Sequence, residues 1–200
     1  EMFNTLRKKY DLILCSDFLN LPVFKSLCLE KIKGTPIAIY FHENQLAYPW
    51  SKHDEDIPLK RDLHYYYINQ TSAMTSDWNY FNSNYNLESL KEGLKRYLKK
   101  MPDFQNIDTI DSISNKSSVL HLGCDLSKYN QHKKEYRNQK PVILWNHRWE
   151  YDKNPELFFN TLFKIKDMQI DFSLVILGEK FSSSPEIFKR AEKKLKDNII

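Results

Sequence analysis

Pro141-Val-Ile-Leu-Trp-Asn-His-Arg-Trp-Glu-Tyr-Asp-Lys-Asn-Pro-Glu156 passes from a short apolar run, Val142 to Trp145, straight into polar and charged residues. The run has the length of a buried strand. Asn154, Pro155 and Glu156 then spell a helix start: a cap, a proline in the first turn, and an acid near the positive end of the dipole. Strand, loop and helix make one βα unit, and α/β folds bind ligands at the carboxyl ends of their strands. The loop carries Arg148 and Lys153. Arg offers a planar fork for phosphate oxygens and Lys a mobile point charge, beside the partial positive charge of a helix start. A diphosphate clamp fits these residues, each contact being worth roughly 1.5–3 kcal/mol. A pair of ordinary solvated loop cations fits them equally.

Working upstream, Leu12 to Ser16 reads as an apolar strand ending at Asp17. Pro22 opens a helix with Val23, Leu27 and Ile32 on its apolar face, closed by Gly34. Pro36 to Phe41 is apolar on both faces, as expected of a parallel strand covered by helices on either side. His42-Glu-Asn-Gln-Leu46 follows its carboxyl end, then a polar loop through Pro49, Trp50 and Pro58. A helix is expected from Asp62 to Met74 and a strand from Trp78 to Phe81, ending in Asn82-Ser83-Asn84-Tyr85. Leu87, Leu90, Leu94, Leu98 and Met101 then keep one helix face apolar, while Lys91, Lys95, Arg96, Lys99 and Lys100 occupy the other. Val119 to Gly123 reads as the next strand.

Residues 125–140 are polar, basic and without apolar periodicity, the profile of a connection. Beyond the opening strand, a helix should turn Leu157, Phe158, Leu162 and Ile165 inward. Phe172 to Leu177 forms a strand ending in Gly178-Glu179, and Ser184-Pro-Glu186 begins a last helix with Ile187, Phe188, Ala191 and Leu195 inward. The alternation predicts two doubly wound α/β domains, residues 1–124 and 141–200, with the gap between them as binding site. A single domain with a long insertion fits the same pattern.

With 200 residues, 41% hydrophobic and 28% charged, the composition is that of a soluble globular protein. Thirty Lys and Arg against 26 Asp and Glu leave +4, too mild an excess to announce nucleic-acid binding by itself. The cationic residues cluster locally instead, at Lys91–Lys100 and at Lys128, Lys133, Lys134, Arg137 and Lys140. Three cysteines without a CxxC indicate neither a disulfide framework nor a zinc site. With no signal peptide and no apolar run near the ~18 residues of a membrane span, a cytoplasmic protein without stable membrane insertion is expected. The sequons at Asn69 and Asn115 are then read as chance. The chain starts at Glu1 and stops at Asn198-Ile-Ile200, where a further strand would begin, so an excised middle of a longer protein is expected.

His42 and Glu43 sit at a ligand edge and are the catalytic candidates, His42 donating to a sugar hydroxyl or to developing charge. A satisfied strand-end histidine is the plain alternative. His42-Glu-Asn-Gln-Leu46 lacks the second histidine of a zinc helix, so no metal is assigned. Asn44, and Asn82 with Ser83, are possible substrate contacts, the latter pair equally a helix cap. Gly178 would let a ligand approach the backbone, with Glu179 beside it. Asp54-Glu55-Asp56 reads as an exposed acidic run, and the Lys91–Lys100 face as a wet helix side that is also compatible with RNA phosphates. His121 and His147 have no visible partner.

Taken together, Tyr40-Phe-His-Glu-Asn-Gln-Leu-Ala-Tyr-Pro49, Phe81-Asn-Ser-Asn-Tyr-Asn86 and Trp145-Asn-His-Arg-Trp-Glu-Tyr-Asp-Lys-Asn-Pro155 resemble the tRNA-queuosine α-mannosyltransferase family, along nearly the whole chain. The resemblance implies a GT-B fold, two Rossmann-like domains facing across a cleft. It also implies retaining, metal-independent transfer of mannose from GDP-mannose to the cyclopentenediol of queuosine in tRNA, with no cofactor. Arg148 and Lys153 match the pair that related enzymes aim at the donor diphosphate, and His42 matches the acceptor-domain residue near the sugar. The two-glutamate segment and the glycine-rich loop of related enzymes have no counterpart in these residues. An inactive segment of an active whole protein is therefore expected. A lipid or glycan acceptor on the same fold, or a non-catalytic nucleotide- or RNA-binding module, are the alternatives.

Overall fold

A computed structural model of the chain describes residues 9–48, 64–132, 140–180 and 184–200. The Asp54-Glu55-Asp56 run, Pro49, Trp50 and Pro58, and Lys133, Lys134 and Arg137 lie outside the described residues. Two units are formed, Glu1–Cys124 and Asp125–Ile200.

In the first unit, β1 (Ile13–Ser16), β2 (Ile37–Phe41), β3 (Trp78–Phe81) and β4 (Ser117–Val119) are parallel, and their order across the sheet repeats their order along the chain. Ile13 lies opposite Ile37, Phe41 opposite Phe81, and Phe81 opposite Val119. The connections are α1 (Leu21–Leu27), α2 (Leu29–Ile32), α3 (His64–Thr75), α4 (Asn84–Leu98) and α5 (Thr109–Ser114). Right-handed crossovers that always advance in one direction put every helix on the same side of a sheet. The packing agrees. Ile13, Cys15, Ile37, Ile39, Phe41 and Phe81 share one face and meet Leu21, Ala73, Leu90, Leu94 and Ile113 from the helices. Phe41 stacks on Phe81 with centroids 4.7 Å apart.

The opposite face is bare among the described residues: Leu14, Trp78 and Leu120 are exposed there. Among the described residues helices therefore cover β2 on one side, where both sides were expected. Ala38 is buried on the bare face because it is small and lies in register between Leu14 and Trp78. Three further corrections are local. The buried face of α1 and α2 is Leu21, Cys28 and Ile32, while Val23 and Leu27 are exposed. The two helices are separate because the backbone breaks at Cys28, with φ −115° and ψ 11°. The expected strand from Val119 to Gly123 is instead Ser117–Val119, preceded by the unanticipated α5, and Leu122 is exposed.

In the second unit, β5 (Val142–Asn146) and β6 (Ser173–Leu177) pair in parallel, with Trp145 opposite Ile176. They are connected by α6 (Pro155–Asp167) and followed by α7 (Ile187–Lys194), after which Ile199 makes a parallel bridge to Leu174. Residues Ser127–His132 form a short 3₁₀ helix. The core gathers Trp145, Phe159, Phe172, Leu174, Phe188 and Leu195. The opening run is not buried throughout as expected. Ile143 and Trp145 face the core, whereas Val142 and Leu144 are exposed on the other side. Likewise Leu157 is exposed, and Phe159 takes the inward position.

Candidate functional site

β2 ends at Phe41, and the next residues leave the sheet at the edge where β1 and β3 also end. His42 is half-exposed, and its Nδ1 lies 2.5 Å from Oδ1 of Asp17, the residue that follows β1. Its backbone N–H donates to the same oxygen at 3.4 Å. Asp17 is 1% exposed. Burial pushes its carboxyl pKa up, while the His42 side chain pulls it down.

A set of buried amides fixes the surrounding loop. Asn44 Nδ2 donates to Asn86 Oδ1 at 2.7 Å and to Ser89 Oγ at 3.0 Å. Asn86 Nδ2 donates to the Phe41 carbonyl and to Asn82 Oδ1, both at 3.0 Å. Asn82 Nδ2 donates in turn to the His42 carbonyl at 2.6 Å. Ser83 caps α4, its hydroxyl accepting from the Asn86 N–H at 3.2 Å. On the other side, Asn69 accepts from the Gln45 N–H at 2.9 Å and donates to the Asp17 carbonyl at 3.0 Å. That buried role agrees with reading its sequon as chance. Each amide nitrogen donates to a carbonyl, another amide or a hydroxyl, so the loop is held by polar contacts, although Asn44 Oδ1 has no partner among the described residues.

These bonds shape a cavity of about 280 Å³ lined by His42, Glu43, Asn44, Asn82, Ser83 and Tyr85, among others. Five residues singled out in the sequence therefore meet in one place. Glu43 is held by Gln45, whose Nε2 donates to its carboxylate at 3.1 Å. His121 also joins this edge, with Nδ1 3.0 Å from the Asn82 carbonyl. Asp17, Asn69 and Asn86 were missed in the sequence. For Asp17 a signal existed: it ends a parallel strand, as His42 and Asn82 do.

The second unit carries the remaining candidates. Trp149 N–H donates to the Glu179 carbonyl at 2.9 Å, and the Trp149 ring stacks on Phe188 at 4.4 Å. Trp145 Nε1 donates to the His147 carbonyl at 2.9 Å. The loop after β5 is thus tied to the end of β6. Gly178, at φ +114°, lies so close to that loop that a Cβ would sit 2.0 Å from the His147 oxygen. The close approach that its sequence suggested is made by the chain's own backbone.

Arg148 reaches Glu150 at 2.9 Å, and Lys153 reaches Asp152 at 2.8 Å. Both cations are therefore held by acids of their own loop. Lys153 lines a cavity of about 490 Å³ together with Leu144, His147 and Asn154; Arg148 does not line it. Asn154 is left-handed (φ 51°, ψ 51°) and caps α6 by accepting from the Leu157 N–H at 3.4 Å.

The Lys91–Lys100 side of α4 is largely exposed, with Lys91 paired to Glu88 at 2.9 Å. Among the described residues no helix is long and apolar enough to cross a membrane.

The profile of a family described as tRNA-queuosine alpha-mannosyltransferase N-terminal matches residues 2–124. The tRNA-queuosine alpha-mannosyltransferase of Drosophila melanogaster is 31% identical over an alignment of 170 residues that covers 81% of this chain and 44% of that protein. The chain thus spans less than half the length of this relative. In fold it is similar to the crystal structure of an alpha,alpha-trehalose-phosphate synthase (UDP-forming) from Burkholderia vietnamiensis. The TM-score is 0.51 at 13% identity, over 96% of this chain and 43% of that one. At that identity the likeness concerns architecture alone, and it places the α/β units in the GT-B class of glycosyltransferase folds. A profile that runs through all four strands of the first unit, over a sheet edge that gathers His42, Asn44 and Asn82, makes this chain a member of the tRNA-queuosine α-mannosyltransferase family.

Proposed function

We propose that the protein to which this chain belongs transfers mannose from GDP-mannose to the queuosine nucleoside of tRNA, with retention of anomeric configuration and without metal or cofactor. The observation that carries the reading is the family profile across the first unit, the unit that holds the His42 cavity. In the reaction the bond from the sugar's anomeric carbon to the GDP β-phosphate oxygen breaks. A bond to a cyclopentenediol hydroxyl forms, and the hydroxyl proton leaves with the departing GDP.

Arg148 and Lys153 exchange their loop carboxylates for the diphosphate and stabilise the charge that builds on it, an electrostatic contribution. His42 and Glu43 are the catalytic pair, polar groups on one cavity that contact the hydroxyls of sugar or acceptor. Asn44, Asn82 and Ser83 hold that cavity in shape and add substrate contacts at its wall. Gly178 and Glu179 keep the Arg148 loop at the end of β6. Such a protein acts on tRNA in the cytoplasm and has no need of stable membrane insertion.

The test is incubation of the whole protein with GDP-mannose and queuosine-containing tRNA, followed by nucleoside digestion and mass analysis. Mannosyl-queuosine is the expected product. Transfer to a lipid or glycan in its absence moves the acceptor, and tRNA binding without turnover of any sugar nucleotide makes the protein a binding module.

A further inference from the structure

Asp17 is the least expected member of the strand-end cluster. A carboxylate that is 1% exposed is costly to the fold unless both oxygens are satisfied. Here Oδ1 takes the His42 ring and the His42 N–H, while Oδ2 has no hydrogen-bond partner among the described residues. Apart from its own backbone N–H, the side chain is thus directed at a single residue. Oδ1 already accepts the backbone N–H, and as a carboxylate oxygen it is placed to accept from Nδ1 of His42 at 2.5 Å as well.

The rest of His42 is held as firmly. Asn82 Nδ2 anchors its carbonyl at 2.6 Å, and the Phe18 ring lies against the imidazole with centroids 5.5 Å apart. Nδ1 is therefore committed to the protein. The ring is half-exposed and lines the cavity, so the nitrogen left for a ligand is Nε2.

We propose that Asp17 is a positioning residue that fixes neutral His42 as the Nδ1–H tautomer, so that Nε2 accepts a hydrogen bond from a hydroxyl of the sugar or acceptor. The role toward a hydroxyl rests on the transferase reading above; the tautomer does not. It also reverses the expected direction of the contact, since neutral His42 accepts from its ligand where donation was anticipated. The other charged group beside the pair is Glu43, which opposes ionisation of Asp17. Its carboxylate is engaged by Gln45 and does not replace Asp17 at the ring.

The test uses histidine labelled with ¹⁵N in the whole protein, with the His42 signals assigned by loss in His42→Gln. Long-range ¹H–¹⁵N correlations should report protonated Nδ1 and bare Nε2 in the wild type. Asp17→Asn and Asp17→Ala should both lose that pattern, neutral imidazole reverting to protonated Nε2. In the transfer assay kcat should fall roughly 10–100-fold, as when the outer-shell partner of a metal-bound histidine is removed, with little change in donor KM. Protonated Nε2 in neutral wild-type His42 overturns the proposal, whether or not either variant folds. So does an unchanged tautomer in both variants, or loss of the tautomer with unchanged kcat. If the wild type transfers no sugar, the transferase reading fails, and the nitrogen shifts still decide the role of Asp17.

Discussion

Substituting Gly178 by alanine probes the joint between the end of β6 and the loop that carries Arg148. The residue sits at φ +114°, a conformation that L side chains rarely adopt, and forcing one there costs about 1–3 kcal/mol. The new Cβ would also lie 2.0 Å from the His147 oxygen, 2.6 Å from its carbon and 3.2 Å from the Arg148 nitrogen. These are backbone atoms, so no side chain can rotate away, and overpacking of this kind adds about 1–3 kcal/mol. The sum, about 2–6 kcal/mol, falls on a unit small enough for each kcal/mol to lower Tm by about 4–8 °C. Thermal unfolding followed by circular dichroism should therefore show the variant melting at least about 8 °C below wild type. Calorimetric titration with GDP should show weaker binding, since the displaced segment carries Arg148. Gly123→Ala is the control, because nothing lies within 4 Å of its Cβ position and its φ is ordinary. A Gly178→Ala protein that melts within about 2 °C of wild type would refute the reasoning.

Other perturbations read different parts of the two units. Asn154→Ala removes a left-handed cap and should cost about 1 kcal/mol in urea unfolding, whereas Asn154→Gly should be within a few tenths of wild type, about what glycine costs at a cap. Glu150→Gln frees Arg148 from its 2.9 Å partner, so GDP affinity should rise by about two- to fivefold in calorimetry, matching the modest worth of an exposed ion pair. Equal or weaker binding would show that Arg148 does not meet the diphosphate. In iodoacetamide labelling at pH 8, exposed Cys124 should be alkylated first. Cys15 should lag, because burial pushes its thiol pKa up to about 11 and the thiolate is the reacting species; peptide mass analysis after a time course distinguishes them.

The strand–helix alternation was legible because parallel strands and their helices have different apolar periods. Trp78–Phe81 occurs with the expected bounds, and Pro155 begins its helix as its cap sequence indicates. That one sheet face is bare among the described residues was not legible. Which side of Leu14 or Val142 meets a helix depends on strand order and crossover hand, and neither leaves a local trace. Ile32 is buried as expected, but Leu21 and Cys28 share its core face in place of the apolar Val23 and Leu27, because hydrophobicity alone does not set helix rotation. The strand-end rule found His42 and Asn82 but passed over Asp17, since only the folded chain reveals that its carboxylate is buried against an imidazole. Glu150 and Asp152 were in plain view beside Arg148 and Lys153, yet pairing within one loop depends on its turn, here the 3₁₀ helix Tyr151–Lys153.

The strand order of the first unit also bears on how it is made. β1 pairs with β2, β2 with β3 and β3 with β4, so each new βα segment docks on the edge left by the one synthesised just before it. Among the described strands none has to insert between two neighbours that are already paired, and each sheet contact spans one strand–helix repeat. The sheet can therefore extend vectorially as the chain emerges from the ribosome, with loop-closure entropy divided into modest instalments. A ribosome-stalled series ending after β2, β3 and β4 should gain protease resistance in steps, one per strand.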